Sequence, residues 1–189
     1  MDAKGPFSLV SKPLMLSWML LGGALLMWAF QAMPQDPKLD TTDPHLLTTA
    51  QYLYHFAKDN DWPPSSKTGP FLIGVHDNPG LVKVFADNYG APPIGDQPLQ
   101  FLSVQGEGAT EGLHIFYTDA KGDDLSKQLR ALHAAPTLVM TRDLEALKKG
   151  VTVNLMVHDG LLRYELNHPD AENRGLLVGN RIASWAVER

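Results

Sequence analysis

The fold this sequence predicts is α/β, a single domain with a mixed, largely parallel sheet flanked by helices. Three observations predict it. Short apolar runs of strand type alternate with amphipathic segments from residue 46 onward. Asp77-Asn78-Pro79-Gly80 directly follows one such run, a cap-and-proline signal that makes strand, loop and helix a βα unit. Asp159-Gly160, set between two later apolar runs, signals a hairpin and therefore an antiparallel pair beside the parallel strands.

The elements follow in order. Residues 34–45, PQDPKLDTTDPH, carry three prolines and three aspartates and no apolar pattern, so they read as a linker. Asp43 is placed as N-cap and Pro44 at the first helical position, where its missing N–H costs nothing. Leu46, Leu47, Ala50, Leu53, Tyr54 and Ala57 then recur at helical spacing. Trp62-Pro63-Pro64 ends this helix, because a residue before proline is pushed out of the α region. Trp62 then reads either as a lid on the core or as an anchor for a partner. FLIGVH (71–76) is a strand, 79–88 a helix, and LQFLSV (99–104) and LHIFYT (113–118) two further strands. A helix over 122–134 places Leu125, Leu129 and Leu132 on one face. TLVMT (137–141) is a strand and 143–149 a short helix. Residues 151–167 form the hairpin, with Asp159-Gly160 as a two-residue turn. Pro169 opens a helix that Gly175 stops, and 180–187 makes a last amphipathic turn or two.

Ahead of the domain, Leu14 to Phe30 (LMLSWMLLGGALLMWAF) is a run of 17 residues without a charge, extended by Gln31, Ala32 and Met33. About 20 residues of helix span the hydrocarbon core of a bilayer, so residues 14–33 read as a transmembrane anchor. Lys4 and Lys12 precede it and Asp36, Asp40 and Asp43 follow it. The positive-inside bias puts residues 1–13 in the cytoplasm and residues 46–189 across the membrane. A cleaved signal peptide has the same charge order, but cleavage after Ala32 would leave bulky Phe30 at position −3. Gly22-Gly23-Ala24 fits cleavage better and leaves Leu25-Leu26-Met27-Trp28 on the mature end. Both readings deliver the domain to the same side.

Composition excludes several function classes. The 189 residues contain no cysteine, so no disulfide, thiolate nucleophile or cysteine-ligated zinc is available. Net charge is −5; residues 1–33 hold +1, which leaves −6 on the remainder. Such a body lacks the clustered Lys and Arg of a nucleic-acid binder. GEGATEG (106–112) places its third glycine one residue late for a dinucleotide fingerprint and precedes a strand rather than a helix. No two of the seven histidines share an i, i+4 spacing, so no metal or cofactor is expected. Asp119, Asp123 and Asp124 suit capping and dipole complementarity, and Arg163 and Glu165 read as a pair on a hairpin rim. No catalytic residue can be named. The pattern is that of a module that binds rather than one that reacts.

Several motifs then align in order. The first helix offers Tyr52, Leu53, Tyr54, Phe56, Lys58, Trp62 and Pro63, and the next strand Phe71, Ile73, Gly74 and Val75. Towards the end come Gly150, Val153-Asn154-Leu155, Asp159-Gly160, Tyr164-Glu165-Leu166-Asn167, Ala171 and Gly175-Leu176. Together they resemble the YfiR/HmsC-like family of bacterial periplasmic regulators over about residues 46–187. The resemblance implies a non-enzymatic periplasmic domain that restrains an inner-membrane diguanylate cyclase by protein contact, and so controls cyclic-di-GMP and biofilm formation. Relatives of this type can dimerise, so a homodimer is among the implied states. Tyr52, Phe56, Trp62, Pro63, Gly74, Asn154, Glu165, Asn167 and Gly175 are family-motif positions with structural roles; Trp62, Pro63, Asp159 and Gly160 are the candidate contact residues. Three departures stand out: Leu113 precedes His114 where relatives often carry cysteine, the family's late Ser-Ser is Gly179-Asn180, and a membrane anchor is unusual beside freely soluble members. The alternative is an accessory subunit of an envelope membrane complex built on the same fold.

Overall fold

The apolar positions spaced along residues 46–57 form α1 (Leu46–Asp59), which buries Leu46, Ala50, Leu53, Phe56 and Ala57 along one stripe. The computed structural model describes residues 43–90, 92–105, 110–132, 135–143 and 145–187. The expected anchor at 14–33 and most of the linker lie outside the described residues. Among the described residues, no helix is long and apolar enough to cross a membrane.

Asp43 departs from its expected place as helix cap. Its carboxylate accepts the His45 N–H at 2.8 Å and its carbonyl the Leu46 N–H at 3.2 Å, closing a turn before the regular helix begins. The second carboxylate oxygen pairs with Arg142, 99 positions along the chain. Burial alone would raise this carboxyl, but the His45 N–H and the Arg142 guanidinium hold it below its ordinary value.

The remaining elements are β1 (Phe71–His76), α2 (Pro79–Tyr89), β2 (Leu99–Val104), β3 (Ile115–Thr118), α3 (Gly122–Ala131), β4 (Leu138–Thr141), β5 (Val153–His158), β6 (Leu161–Leu166), α4 (His168–Asn173) and α5 (Asn180–Trp185). Asn78 caps α2 as expected, its side chain accepting the Leu81 N–H at 2.9 Å. The predicted helix over 143–149 is instead a 3-10 turn, Ala146–Lys149, stopped by Gly150 at φ 89°. Strand order is β2-β1-β3-β4-β5-β6. The first five strands run parallel, and β6 pairs antiparallel with β5. The sheet is mixed and largely parallel, as the alternation of strands and helices implies.

Alternate residues divide between two cores. Phe71, Ile73, Val75, Ile115, Tyr117, Leu138, Met140, Val153, Leu155, Leu162 and Tyr164 pack under α1, α2 and α5. On the opposite face Val104, Phe116 and Val139 meet Leu125, Leu129 and Leu132 of α3 and its C-cap. Because α2 and α3 cover opposite faces, the sheet reverses its winding between β1 and β3.

Gly179 sits where a side chain has no room. A Cβ on Gly179 would lie 1.9 Å from the Asp59 carbonyl oxygen, at the end of α1. The Gly179 N–H donates to Asn60 Oδ1 at 3.0 Å, and Asp61 exchanges two main-chain bonds with Leu177 alongside. Backbone cannot yield as a flexible side chain can, so Gly179→Ala should destabilise by about 2–3 kcal/mol. A thermal melt of that variant is the check; an unchanged midpoint would mean that the two segments part without loss.

Candidate functional site

Two contacts hold the Trp62 side chain. Its indole N–H donates to the His114 carbonyl at 3.2 Å, and its ring meets Phe71 edge-on at 4.9 Å between centroids. It is 5% exposed, so of its two expected roles the structure places it in the core, with Pro63 half-buried beside it. Trp62 reaches His114, the histidine of the predicted strand 113–118. His114 stacks on Phe71 at 4.2 Å, and its two ring nitrogens tie separate segments. Nδ1 accepts the Leu72 N–H at 3.1 Å, which leaves Nε2 to donate to the Ser66 carbonyl at 2.7 Å. Protonating Nδ1 would turn an acceptor into a donor facing a donor.

Burial holds the His114 ring below its ordinary value of 6.5, only partly offset by the Ser66 bond. The unfolded chain therefore takes up this proton at higher pH than the folded one. Stability should be flat above about pH 6.5 and fall as the pH drops towards the lower folded value. Carboxylates such as Asp43, held below 3.8, lose their contribution only in stronger acid, so the two windows separate. Melting temperatures from about pH 7 to pH 5 should slope downward in the wild type and much less in His114→Gln. Equal slopes would assign the acid loss to another group.

The hairpin forms as predicted. Asp159 and Gly160 have φ of 51° and 74°, the two positive values that a type I′ turn needs. Both are exposed, and they lie between Val157 and Leu161, which are 54% and 56% exposed. The outer side of β6 is engaged nearer its middle. The Tyr52 hydroxyl donates to the Leu162 carbonyl at 2.7 Å, and the Val187 N–H to that of Tyr164 at 2.9 Å. Tyr52 and Phe56 also meet the Tyr164 ring edge-on.

The motif positions near the end of the chain converge on structural bonds. Asn167 caps α4 by accepting the Asp170 N–H and donates to the Leu147 carbonyl at 3.0 Å. Asp170 binds Arg174 Nε at 2.9 Å and accepts the Thr152 hydroxyl at 2.7 Å. Arg174 also donates to the carbonyls of Leu132 and Gly150, so one guanidinium joins the end of α3, the turn before β5 and α4. Gly175, at φ 71°, then reverses the chain. Gly74 has no room for a Cβ, which would come within 2.8 Å of both Leu113 and Val104 side-chain carbons.

Glu165 corrects an expectation. It is 3% exposed and accepts from Asn154 Nδ2 at 3.0 Å, so it is no rim partner of exposed Arg163. Strand alternation puts Arg163 and Glu165 on one face, but what covers that face depends on distant residues. Leu147, Ala183 and Ala186 line a cavity with Glu165. Among the described residues, no group of three His, Asp or Glu side chains could hold a metal ion.

No curated protein matches the sequence significantly. Residues 48–186 match the YfiR/HmsC-like family, a regulatory family known for periplasmic control of diguanylate cyclases. The match takes in Tyr52, the Trp62 corner, the hairpin and the Asn167–Gly175 segment, whose bonds account for the fold's integrity; this chain belongs to the YfiR/HmsC-like family.

Proposed function

We propose that this chain is a non-enzymatic periplasmic repressor of an inner-membrane diguanylate cyclase, acting by direct contact through the tip of the β5–β6 hairpin. The observation that carries the contact is the exposure of Val157 and Leu161 on either side of Asp159-Gly160. Large apolar side chains at the tip of a hairpin paired out to His158 and Leu161 supply apolar burial on association. Of the two candidate regions the hairpin takes this role, because Trp62 and Pro63 serve the core. Residues 14–33 act as a membrane anchor in this proposal. A short linker raises the effective concentration of domain and partner towards the millimolar range, so a modest interface suffices.

Deleting the gene should raise intracellular cyclic-di-GMP, and the wild-type gene should restore it. A Val157→Ser/Leu161→Ser protein should keep its melting temperature within a degree or so and fail to restore repression. No rise on deletion from a strain that expresses the protein would refute the repressor. Full complementation by the hairpin variant would move the contact elsewhere. The apolar segment 14–33 also favours a second reading, an accessory subunit fixed in an envelope complex. Mild-detergent purification that recovers a constant set of envelope proteins without a cyclase would select it.

A further inference from the structure

His76, Thr118, Thr141, Asn154 and Glu165 are register partners across β1, β3, β4, β5 and β6. Register partners share a face, so these side chains form one polar line across the α3 side of the sheet. All but His76 are buried. Thr118 Oγ1 accepts the Ala120 N–H and Asn154 donates to Glu165, yet Thr141 Oγ1 and Asn154 Oδ1 have no partner among the described residues. Gln128 of α3, on the same side, repeats this. It is 6% exposed and its Oε1 is buried without a partner. An unpaired buried amide oxygen costs about 1–3 kcal/mol, which apolar packing would avoid.

The line meets a cleft at His76. This cleft, of about 380 Å³, is lined by His76, Asp77, Asp119, Asp124, Lys127 and Gln128. It lies at the carboxyl ends of β1 and β3, where the winding reverses, the place at which open α/β sheets bind ligands. Asp119 is fixed there by the Tyr117 hydroxyl at 2.8 Å and by Asn78 Nδ2 at 3.0 Å. Asp77 sits at φ 50°, a conformation that only a few side chains adopt readily. Lys127 is 3.4 Å from Asp124, His76 Nδ1 is 3.6 Å from Asp77, and Arg142, itself paired with Asp43, acts on Asp119, so carboxylates outnumber the lysine and arginine side chains around the mouth. The helix N-termini of α2 and α3 together offset about one charge, so the mouth stays negative. Its unmatched groups are acceptors.

We propose that this cleft binds a small organic cation with a primary ammonium group, accepted by Gln128 Oε1 and the carboxylates of Asp77 and Asp119. The occupant supplies what the cleft lacks, a positive charge and several N–H donors. This assignment stands apart from the hairpin contact and does not depend on it.

Calorimetric titration of the full chain in mild detergent with 1,4-diaminobutane and with ethanolamine tests it, with inorganic phosphate as the anionic control. At least one amine should bind saturably at one site and phosphate should not. Asp77→Asn, which suits the same backbone conformation and sits at an exposed position, should weaken that binding about tenfold. Gln128→Leu should abolish it while keeping or raising the melting temperature of the free protein, because it removes an unpaired buried amide. No binding of either amine, preference for phosphate, or unchanged affinity in both variants would overturn the proposal.

Discussion

Replacing Trp62 by Ala should lower stability by about 3–5 kcal/mol, on the order of 10 °C or more in melting temperature. The indole is almost wholly buried, and its removal opens a cavity beside Phe71 that backbone cannot close. It also takes away a donor from the His114 carbonyl, although the Leu138 N–H, at 2.8 Å, still satisfies that oxygen once. Trp62→Phe should therefore recover most of the loss, leaving about 1 kcal/mol for the missing hydrogen bond and the smaller ring. Thermal melts of both variants beside the wild type decide the matter. A small effect of Trp62→Ala, with weakened association with a cyclase, would restore the partner-anchor reading of this residue.

Arg174→Met should cost about 3 kcal/mol, because it strands a part-buried carboxylate. Asp170 and Arg174 are 14% and 8% exposed as side chains, so solvent does little to relieve the loss. The Gly150 carbonyl loses the Arg174 donor at the same time, while the Leu132 carbonyl keeps the Ala135 N–H at 3.1 Å. The double variant Asp170→Ala/Arg174→Met should be more stable than Arg174→Met alone, since no unpaired charge is left inside. Denaturant melts of the three proteins test this. A double variant that only adds the losses of the two single ones would show that the pair acts through shape rather than charge.

The two predictions differ in how far the sequence announces them. Trp62 is conspicuous, because two prolines follow it and an apolar helix runs into it. Arg174 is not: nothing in Asn173-Arg174-Gly175 shows that a guanidinium will reach carbonyls at Leu132 and Gly150. Its one local signal is the i, i+4 spacing from Asp170, which predicts a surface pair as readily as a buried hub. His114 is similar. A histidine between Leu113 and Ile115 reads as a half-buried strand residue, and its two main-chain bonds come from segments 42 and 48 positions away.

The sequence by itself determined the order and type of almost every element, the Asn78 cap, the Asp159-Gly160 turn, the stop at Trp62-Pro63-Pro64 and the family resemblance. Each depends on side-chain periodicity or backbone preference within a few residues, and such terms act before any tertiary contact exists. Tertiary structure alone decided the β2-β1-β3-β4-β5-β6 order, and with it the cleft at the winding reversal and the polar line from His76 to Glu165. It also decided that Glu165 is buried while Arg163 is exposed, and that Gly179 passes against the end of α1. Alternation along a strand tells which residues share a face. Which strand lies alongside, in what register and under which helix, is set by contacts between segments far apart in the chain.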